Sequence, residues 1–333
     1  MASTSEARSG PNYSRRMIWL AAFIVLLFGG YSVAWFYASG VLRDQAIRFI
    51  SAANASGLKV DCRNARVGGF PFRIGLYCDE THYEKPGEVT LSGSTLRSAA
   101  QVYDPFLIVA ELDGPVAVEV PQATVDMNWK NFRASLRYTM EAPERISAEA
   151  TDIKVAAALM SQSERPLFSA ANMQAHARPN GNDLDFAGSV EGFVVDPALL
   201  RGGALPPFAG QSDITIKDGM SRMNGGGDMI LGQSGTVHLL SISTDDASLS
   251  LSGTFAVGLD GLIDADLTVK ARNPVGIAPI AAAAFPENAD HIYASLSGLA
   301  ALGANAELPL TIDKGRITFG FIPLGKIGPL LAR

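Results

Sequence analysis

The longest apolar segment of the chain lies near the N-terminus. Residues 17–42 carry no charged side chain, and a helix of that length spans about 39 Å, more than the bilayer hydrocarbon core of about 30 Å. Trp19 lies near one end and Trp35 near the other, which suits the two interfaces of a membrane. The segment is also longer than the apolar part of a cleaved signal peptide. We therefore predict an uncleaved transmembrane signal anchor over residues 17–39.

Apolar residues continue at helical spacing beyond this anchor, and Gly57 is a suitable helix end. The positions with this spacing are Leu42, Ala46, Phe49, Ile50 and Ala53. They predict a juxtamembrane amphipathic helix over residues 40–57. Such a helix can lie on the membrane or pack on the first strands, and the pattern does not decide between the two.

The positive charges on the two sides of the anchor differ slightly in number. Arg8, Arg15 and Arg16 precede it, whereas Arg43 and Arg48 follow it. An excess of basic residues marks the cytoplasmic side of a membrane segment. We therefore expect residues 1–16 in the cytoplasm, the anchor in an inner membrane, and residues 58–333 in the periplasm of a Gram-negative cell.

From residue 58 onward, apolar and polar residues alternate with a period of two, which is typical of half-buried strands. Asp260-Gly261 is a strong hairpin signal, and Asp313-Lys314-Gly315 forms another turn. The clearest strands are predicted over residues 70–78, 125–129, 132–138, 249–259, 263–269, 308–312 and 317–321.

Helix is the minority in this region. The alanine-rich segment at residues 274–303 has few strand signals, and it predicts a helix near 276–284, a break at Pro286 and a second helix near 287–302. A shorter helix is expected near 196–201, with Asp196 as its N-cap.

These patterns predict a mainly β protein with an N-terminal transmembrane helix. A long antiparallel meander sheet, with a few short helices near residues 274–303, forms one β-rich domain over residues 58–333. Two shapes fit the alternation: a curved open groove, and a closed sandwich or barrel-like core. A closed core is the usual arrangement for strands that are apolar on one face.

The only two cysteines, Cys62 and Cys78, lie on the apolar parity of the first predicted strands. A disulfide between them suits an oxidising compartment. The alternative is a pair of reduced, buried cysteines. We expect the disulfide.

Composition narrows the class of protein. Hydrophobic residues make up 47% of the chain and charged residues 18%, against about 25% charged in an average soluble domain. High apolar content with a net charge of only −6 argues against intrinsic disorder. No basic cluster follows the anchor, so the sequence does not predict nucleic-acid binding.

Candidate chemistry is sparse. The four histidines are scattered, so no metal site is predicted, and no cofactor-binding motif is present. Asp264 and Asp266 would share one face of a strand as a two-carboxylate pair. A solvated polar face is the simpler interpretation of these residues, and we expect no enzymatic activity.

Two segments carry a family resemblance. The first is residues 67–74, VGGFPFRI, followed by Cys78, and the second is residues 313–320, DKGRITFG, followed by IPLG at 322–325. With the single anchor, they resemble the Gram-negative membrane-anchored domain-of-unknown-function family numbered twenty-one twenty-five. The motif residues are Gly69, Phe70, Pro71, Phe72, Arg73 and Ile74.

The resemblance implies no known activity, because that family has none established. Its plan is similar, more distantly, to that of AsmA-like envelope proteins, which implies a role in envelope lipid homeostasis. We expect a protein that binds or guides phospholipid or lipopolysaccharide, or supports outer-membrane maintenance. The predicted lipid face consists of Phe70, Phe72, Ile74 and Leu76. The alternative function is a scaffold that docks an envelope protein partner through a closed β-core.

Overall fold

The computed structural model describes residues 13–140, 142–159, 163–200, 204–225, 230–284, 286–301, 307–320 and 322–330. Its first element is helix α1 (Tyr13–Ala55), which runs without a break through the predicted anchor and the predicted amphipathic segment. The segment contains no proline, the residue that most often interrupts a helix. Helix α1 is long and apolar enough to span a membrane.

The second half of α1 packs on the first strands. It contacts β1 (Lys59–Arg63), β2 (Arg66–Gly68) and β3 (Arg73–Cys78). The Asn54 side chain accepts a hydrogen bond from the backbone nitrogen of Val60 at 2.6 Å and donates one to the Val60 carbonyl at 3.1 Å. The sequence left the membrane surface and the strands as alternatives for this helix. The structure shows contacts with the strands, while Phe49, one of the apolar positions of this segment, is 72% exposed.

The other strands follow in chain order. They are β4 (Glu80–Lys85), β5 (Val89–Gly93), β6 (Leu96–Gln101), β7 (Asp104–Leu112), β8 (Val116–Val120), β9 (Ala123–Asn128), β10 (Asn131–Tyr138), β11 (Pro143–Leu159), β12 (Arg165–Asn180), β13 (Asp183–Val195), β14 (Phe208–Ile216), β15 (Ser234–Ser243), β16 (Ser248–Val257), β17 (Ile263–Arg272), β18 (Glu307–Asp313), β19 (Arg316–Phe319) and β20 (Ile322–Lys326).

The sheet is a single antiparallel meander. Strands β3 and β4 are the two halves of one long strand, and they pair with β6 and β5, the two halves of the next. The pairs β7–β8 and β9–β10 continue this arrangement. Both β9 and β10 pair with the long strand β11, and each later strand pairs with its successor. The predicted meander is therefore confirmed.

A crease crosses the first strands, where each long strand bends. Hydrogen bonds cross it from Asp113 to Thr95 and from Lys130 to Thr151, both at 2.9 Å. In β11 the bend occurs at Asp152, whose φ of 51° is positive. The indole nitrogen of Trp129 donates to the Leu112 carbonyl at 2.7 Å, and beside it Ile153, Val155 and Ala170 form a small buried core. Hydrogen bonds and buried side chains therefore hold the sheet in its bent form at the crease.

The larger core lies at the C-terminal end of the sheet. Helices α3 (Pro274–Ala284) and α4 (Ala289–Ala301) are joined by a 3₁₀ turn at Pro286–Asn288, and they cover strands β16 to β19. Val269, Ala278, Leu299 and Phe319 are buried between helices and sheet. A 3₁₀ turn at Pro197–Leu199 follows Asp196, whose side chain accepts from the Ala198 nitrogen at 2.9 Å. A short helix, α2 (Gly219–Gly225), packs near β13. The predicted short helices near 274–303 are thus confirmed as far as residue 301, and 302–303 lie outside the described residues.

The sheet is open. Within the described residues, β20 pairs with β19 alone, while β1 and β2 pair only with β4 and β3. The closed sandwich or barrel-like alternative is therefore wrong, and so is the closed β-core of the alternative scaffold function. Antiparallel strands with one apolar face can form an open sheet when another partner covers that face.

Some predicted boundaries differ from the structure. The strand expected over 70–78 begins at Arg73, because Gly69–Phe72 forms a turn that contains proline. Trp129 and Leu259 lie just outside β9 and β16. Residue 201, at the end of the short helix expected near 196–201, and Phe321, at the end of the last predicted strand, lie outside the described residues.

Candidate functional site

The predicted motif holds the β-domain against the anchor. Trp35 of α1 is buried, and its indole nitrogen donates to the Arg73 carbonyl at 2.9 Å. The Tyr31 hydroxyl donates to the carbonyl of Pro71. These two hydrogen bonds fix the turn at Gly69–Phe72 to one side of helix α1.

Aromatic packing strengthens this contact. The Phe70 ring stacks on Phe36, with 5.6 Å between centroids, and meets Trp35 edge to face at 5.4 Å. Phe72, by contrast, is 69% exposed. Phe70 and Phe72 therefore belong to the turn, whereas Ile74 and Leu76 lie in β3, so the predicted four-residue lipid face is divided between two elements.

The turn requires glycine at position 69. Its φ is +112°, a conformation that side chains rarely adopt, and an added Cβ would lie 2.8 Å from the Arg73 carbonyl oxygen. The Arg73 nitrogen donates to the Gly69 carbonyl at 2.9 Å, which closes the turn. The turn between Gly69 and Arg73 thus places the Phe70 ring against helix α1.

The disulfide is confirmed. Cys62 in β1 and Cys78 in β3 are bonded, with their Cα atoms 5.2 Å apart. Cys78 is fully buried and pairs with Leu96 of β6. Because β1 pairs with β4 and β3 is continuous with β4, the bond joins the first long strand to the second.

Apolar residues form two cross-strand rows on one side of the sheet, because residues paired across neighbouring strands share a face. The outer row crosses eight strands through Ile74, Ala100, Ile108, Leu136, Ile146, Ala177, Phe186 and Ile214. The central row lies two residues further along the same strands and consists of small side chains. Its members are Ser98, Ala110, Ala134, Ala148, Ala175, Gly188 and Ser212.

The central row continues toward the C-terminal end with larger side chains. Ser212 pairs with Leu240, and the row then passes through Leu251, Val269 and Leu308. We call the side of the sheet formed by both rows and this continuation the apolar face. It extends from the turn at the anchor to helix α4.

Much of the apolar face is uncovered by the described residues. Ile146 is 47% exposed and Phe186 is 38% exposed, and the small side chains between them are only half-buried. An ordinary core would bury these positions. The face is therefore available for contacts that the described residues do not provide.

The face leads into a cavity of about 400 Å³ beneath α4. Leu240, Leu251 and Val269 line it from the sheet, and Ile292 and Leu296 line it from the helix. The lining also includes Ser295, whose buried hydroxyl has no hydrogen-bond partner among the described residues. The cavity thus combines a nearly apolar wall with one buried hydroxyl.

The opposite face of the sheet is charged. Arg133 lies between Glu111 at 3.0 Å and Glu149 at 3.7 Å, and Arg97 contacts Glu111 at 3.6 Å. Arg97 also donates to the Asp113 carboxylate at 2.8 Å, and this hydrogen bond lowers the pKa of Asp113 below its usual value. The two faces of the same strands therefore differ sharply in polarity.

Several of the aspartate and histidine residues considered above as candidates for catalysis or metal binding make hydrogen bonds within the sheet. Asp264 accepts a hydrogen bond from the Lys314 backbone nitrogen at 2.8 Å, so it supports the β18–β19 turn. His176 and His238 contact the hydroxyls of Ser147 and Thr215, both at 2.9 Å. In the described part of the chain, no three His, Cys, Asp or Glu residues group as metal ligands do.

The sequence did not reveal the central row. Alanine, glycine and serine give a weak alternation signal, and Asp152 changes the parity of β11 in its middle. Ala134 was the only member of that row in a predicted strand of the middle region. Small residues at alternate positions in β11 and β12 are the sequence signal that could have revealed the central row.

A family model matches residues 35–328, from Trp35 of the anchor to the end of the sheet. The family is DUF2125, described as an uncharacterized protein conserved in bacteria. No curated protein matches the chain. Because the match covers most of the chain, the family resemblance drawn from the sequence is confirmed, and this chain belongs to the DUF2125 family.

Proposed function

We propose that this protein is a membrane-anchored, non-enzymatic binder of envelope lipid, with acyl chains lying on the apolar face. One observation carries the proposal: the apolar face continues, largely uncovered, from the turn at the anchor to the cavity beneath α4. Contiguous exposed apolar surfaces of this extent mark interaction sites in soluble domains. The membrane next to the anchor is the nearest source of an apolar ligand.

The dimensions suit an acyl chain. Neighbouring strands lie about 4.8 Å apart, so the eight strands of the outer row span roughly 34 Å. The acyl chains of one leaflet occupy about half of the hydrocarbon core, roughly 15 Å. A chain lying across the strands would be covered along its whole length.

The energetics favour this arrangement. Each methylene moved from water to an apolar surface gains about 0.8 kcal/mol. The small side chains of the central row leave room for a chain between Leu136, Ile146 and Phe186 of the outer row and the crease.

The proposal includes a location. The arginines before α1 favour a cytoplasmic N-terminus, and the disulfide is compatible with the oxidising periplasm. The β-domain would then stand on the periplasmic side of the inner membrane, within reach of phospholipid and of lipopolysaccharide in transit.

The test uses two adjacent positions of β12 that face opposite ways. Ala175→Asp places a charge in the central row, whereas Gln174→Asp places the same charge on the polar face. We expect full-length wild type and Gln174→Asp to retain phospholipid or lipopolysaccharide in native mass spectrometry, and Ala175→Asp to lose most of it.

Folded, lipid-free wild type would contradict the proposal. A stoichiometric protein partner that Ala175→Asp releases, in place of a lipid, would favour the scaffold function instead. Circular dichroism and unfolding midpoints of the two variants must match for the comparison to count, since both carry one added charge in the same strand.

A further inference from the structure

Apolar side chains also project from the end of the sheet nearest the anchor. Three successive turns lie there: Gly69–Phe72, the β6–β7 turn at residues 102–103, and the β10–β11 turn that begins at Thr139. Each presents exposed apolar side chains. We call this set, Phe70, Phe72, Val102, Tyr103 and Met140, the apolar rim.

The exposure of the rim is high. Tyr103 is 77% exposed and Met140 is 92% exposed, both more than Phe72. Side chains of this kind at hairpin tips are costly to leave in water, and polar residues are the usual occupants of turns. The turns of the rim are therefore more apolar than the solvent-exposed turns of a sheet usually are.

The turns of the rim are held side by side. The Val102 nitrogen donates to the Phe72 carbonyl at 3.0 Å, which joins the first two turns. Phe106 and Tyr138 meet edge to face at 5.4 Å just inside the second and third turns. The rim thus forms one surface with fixed spacing.

The opposite end of the same strands differs in composition. Its turns contain the Lys85–Glu88 ion pair, at 2.6 Å, and Pro121-Gln122. The β7–β8 strand runs from one end to the other, so the two ends lie roughly 50 Å apart. The described turns at this opposite end carry polar and charged side chains and no exposed aromatic ring, although Val120 and Leu159 beside them are 40% and 56% exposed.

The anchor fixes the depth of the rim. Trp35 lies 19 residues beyond Arg16, and at 1.5 Å per residue this is about 28 Å along the helix. The hydrocarbon core is about 30 Å thick, so with Arg16 at one interface, Trp35 and the Phe70 ring packed on it would lie at the other. Trp and Tyr side chains such as Trp35 and Tyr103 are favoured at that level.

We infer that the apolar rim inserts into the surface of the bilayer leaflet on the β-domain side. The partner is the lipid surface itself, recognised through apolar and aromatic contact. The sheet would then stand on the membrane with the start of the apolar face, at Phe106 and Tyr138, level with the headgroups. This inference does not depend on whether the apolar face binds lipid.

The test measures depth at the two ends of the sheet. Both native cysteines form the disulfide, so a single introduced cysteine can be labelled with a fluorophore. Tyr103→Cys probes the rim, and Gln122→Cys, in an exposed turn at the opposite end, is the matched control. The full-length protein is placed in phosphatidylethanolamine–phosphatidylglycerol nanodiscs, with or without lipids bearing a nitroxide near the headgroup end of the acyl chain.

We expect nitroxide lipid to quench the Tyr103→Cys label several-fold more than the Gln122→Cys label, and aqueous iodide to give the reverse order. Equal, weak lipid quenching at both positions, with equal access to iodide, would overturn the inference. If Tyr103→Cys does not fold, Met140→Cys provides the same reading from the third turn. Ala175→Asp should leave the quenching unchanged, which separates this result from the lipid-binding proposal.

Discussion

At the scale of single residues, a few side chains decide where the β-domain sits. Trp35 is the clearest, because one indole covers Phe70 and donates to the Arg73 carbonyl. From the sequence alone, Trp35 was predicted to mark a membrane interface, and Phe70 was assigned to a strand. Their contact could not be predicted, because no local pattern records which helix residue meets which turn.

Gly69 is the residue on which the turn depends. Gly69→Ala should destabilise the protein by about 1–3 kcal/mol, since alanine must adopt a conformation almost restricted to glycine. Gly181→Ala is the control, because its φ is also positive but an added Cβ meets nothing within 4 Å. Urea unfolding of the full-length protein in detergent micelles measures both. Equal losses of unfolding free energy in the two variants would show that the close approach of the added Cβ to Arg73 contributes nothing to the destabilisation.

Asp113 makes stability depend on pH. Arg97 lowers the pKa of this carboxyl by hydrogen bonding to it, so the folded state holds the proton less tightly than the unfolded state. The resulting stability is present above the unfolded pKa of about 3.9 and is lost as pH falls through the lower folded pKa. Wild type should therefore lose more unfolding free energy below about pH 4 than Asp113→Asn. Urea midpoints across this range would contradict the assignment if both proteins lost the same amount.

At the scale of elements, sequence patterns served best where bulky residues alternate. Strands β16 and β17 were predicted because leucine, isoleucine and valine alternate with serine, threonine and aspartate. Strands β11 and β12, the two longest, were missed because alanine occupies much of their apolar side. The bend at Asp152 further interrupts the period of two. Long strands with small apolar residues thus look like loops when only hydrophobicity is followed.

The helical cover at the C-terminal end is the element that gives the sheet a conventional core. Leu299 of α4 is only 2% exposed within that core, so Leu299→Ala should cost about 2–5 kcal/mol of unfolding free energy. The same substitution at Leu259, which is 81% exposed, should change stability by less than about 0.5 kcal/mol. Chemical unfolding of the two variants checks this difference. A small effect at Leu299 would mean that α4 does not pack as described.

At the scale of the whole molecule, the open sheet is the main finding. Alternation predicted a one-sided meander, but the same alternation is compatible with a closed core, so openness could not be read from the sequence. Helix α1 packs along the first strands and limits the exposure of that edge. The apolar face remains uncovered between this helix and α4. The two ends of the face therefore differ: helix α1, which is long and apolar enough to span a membrane, lies at one end, and the cavity beneath α4 lies at the other.

The most direct test of this account is photo-crosslinking in intact cells. The crosslinking amino acid p-benzoyl-phenylalanine replaces Leu136 or Phe186 on the apolar face, and Ser135 or Ala187, their neighbours on the opposite face. The account predicts lipid adducts at Leu136 and Phe186 and none at Ser135 and Ala187. Adducts to a single protein at the first two positions, or equal lipid labelling at all four, would contradict it.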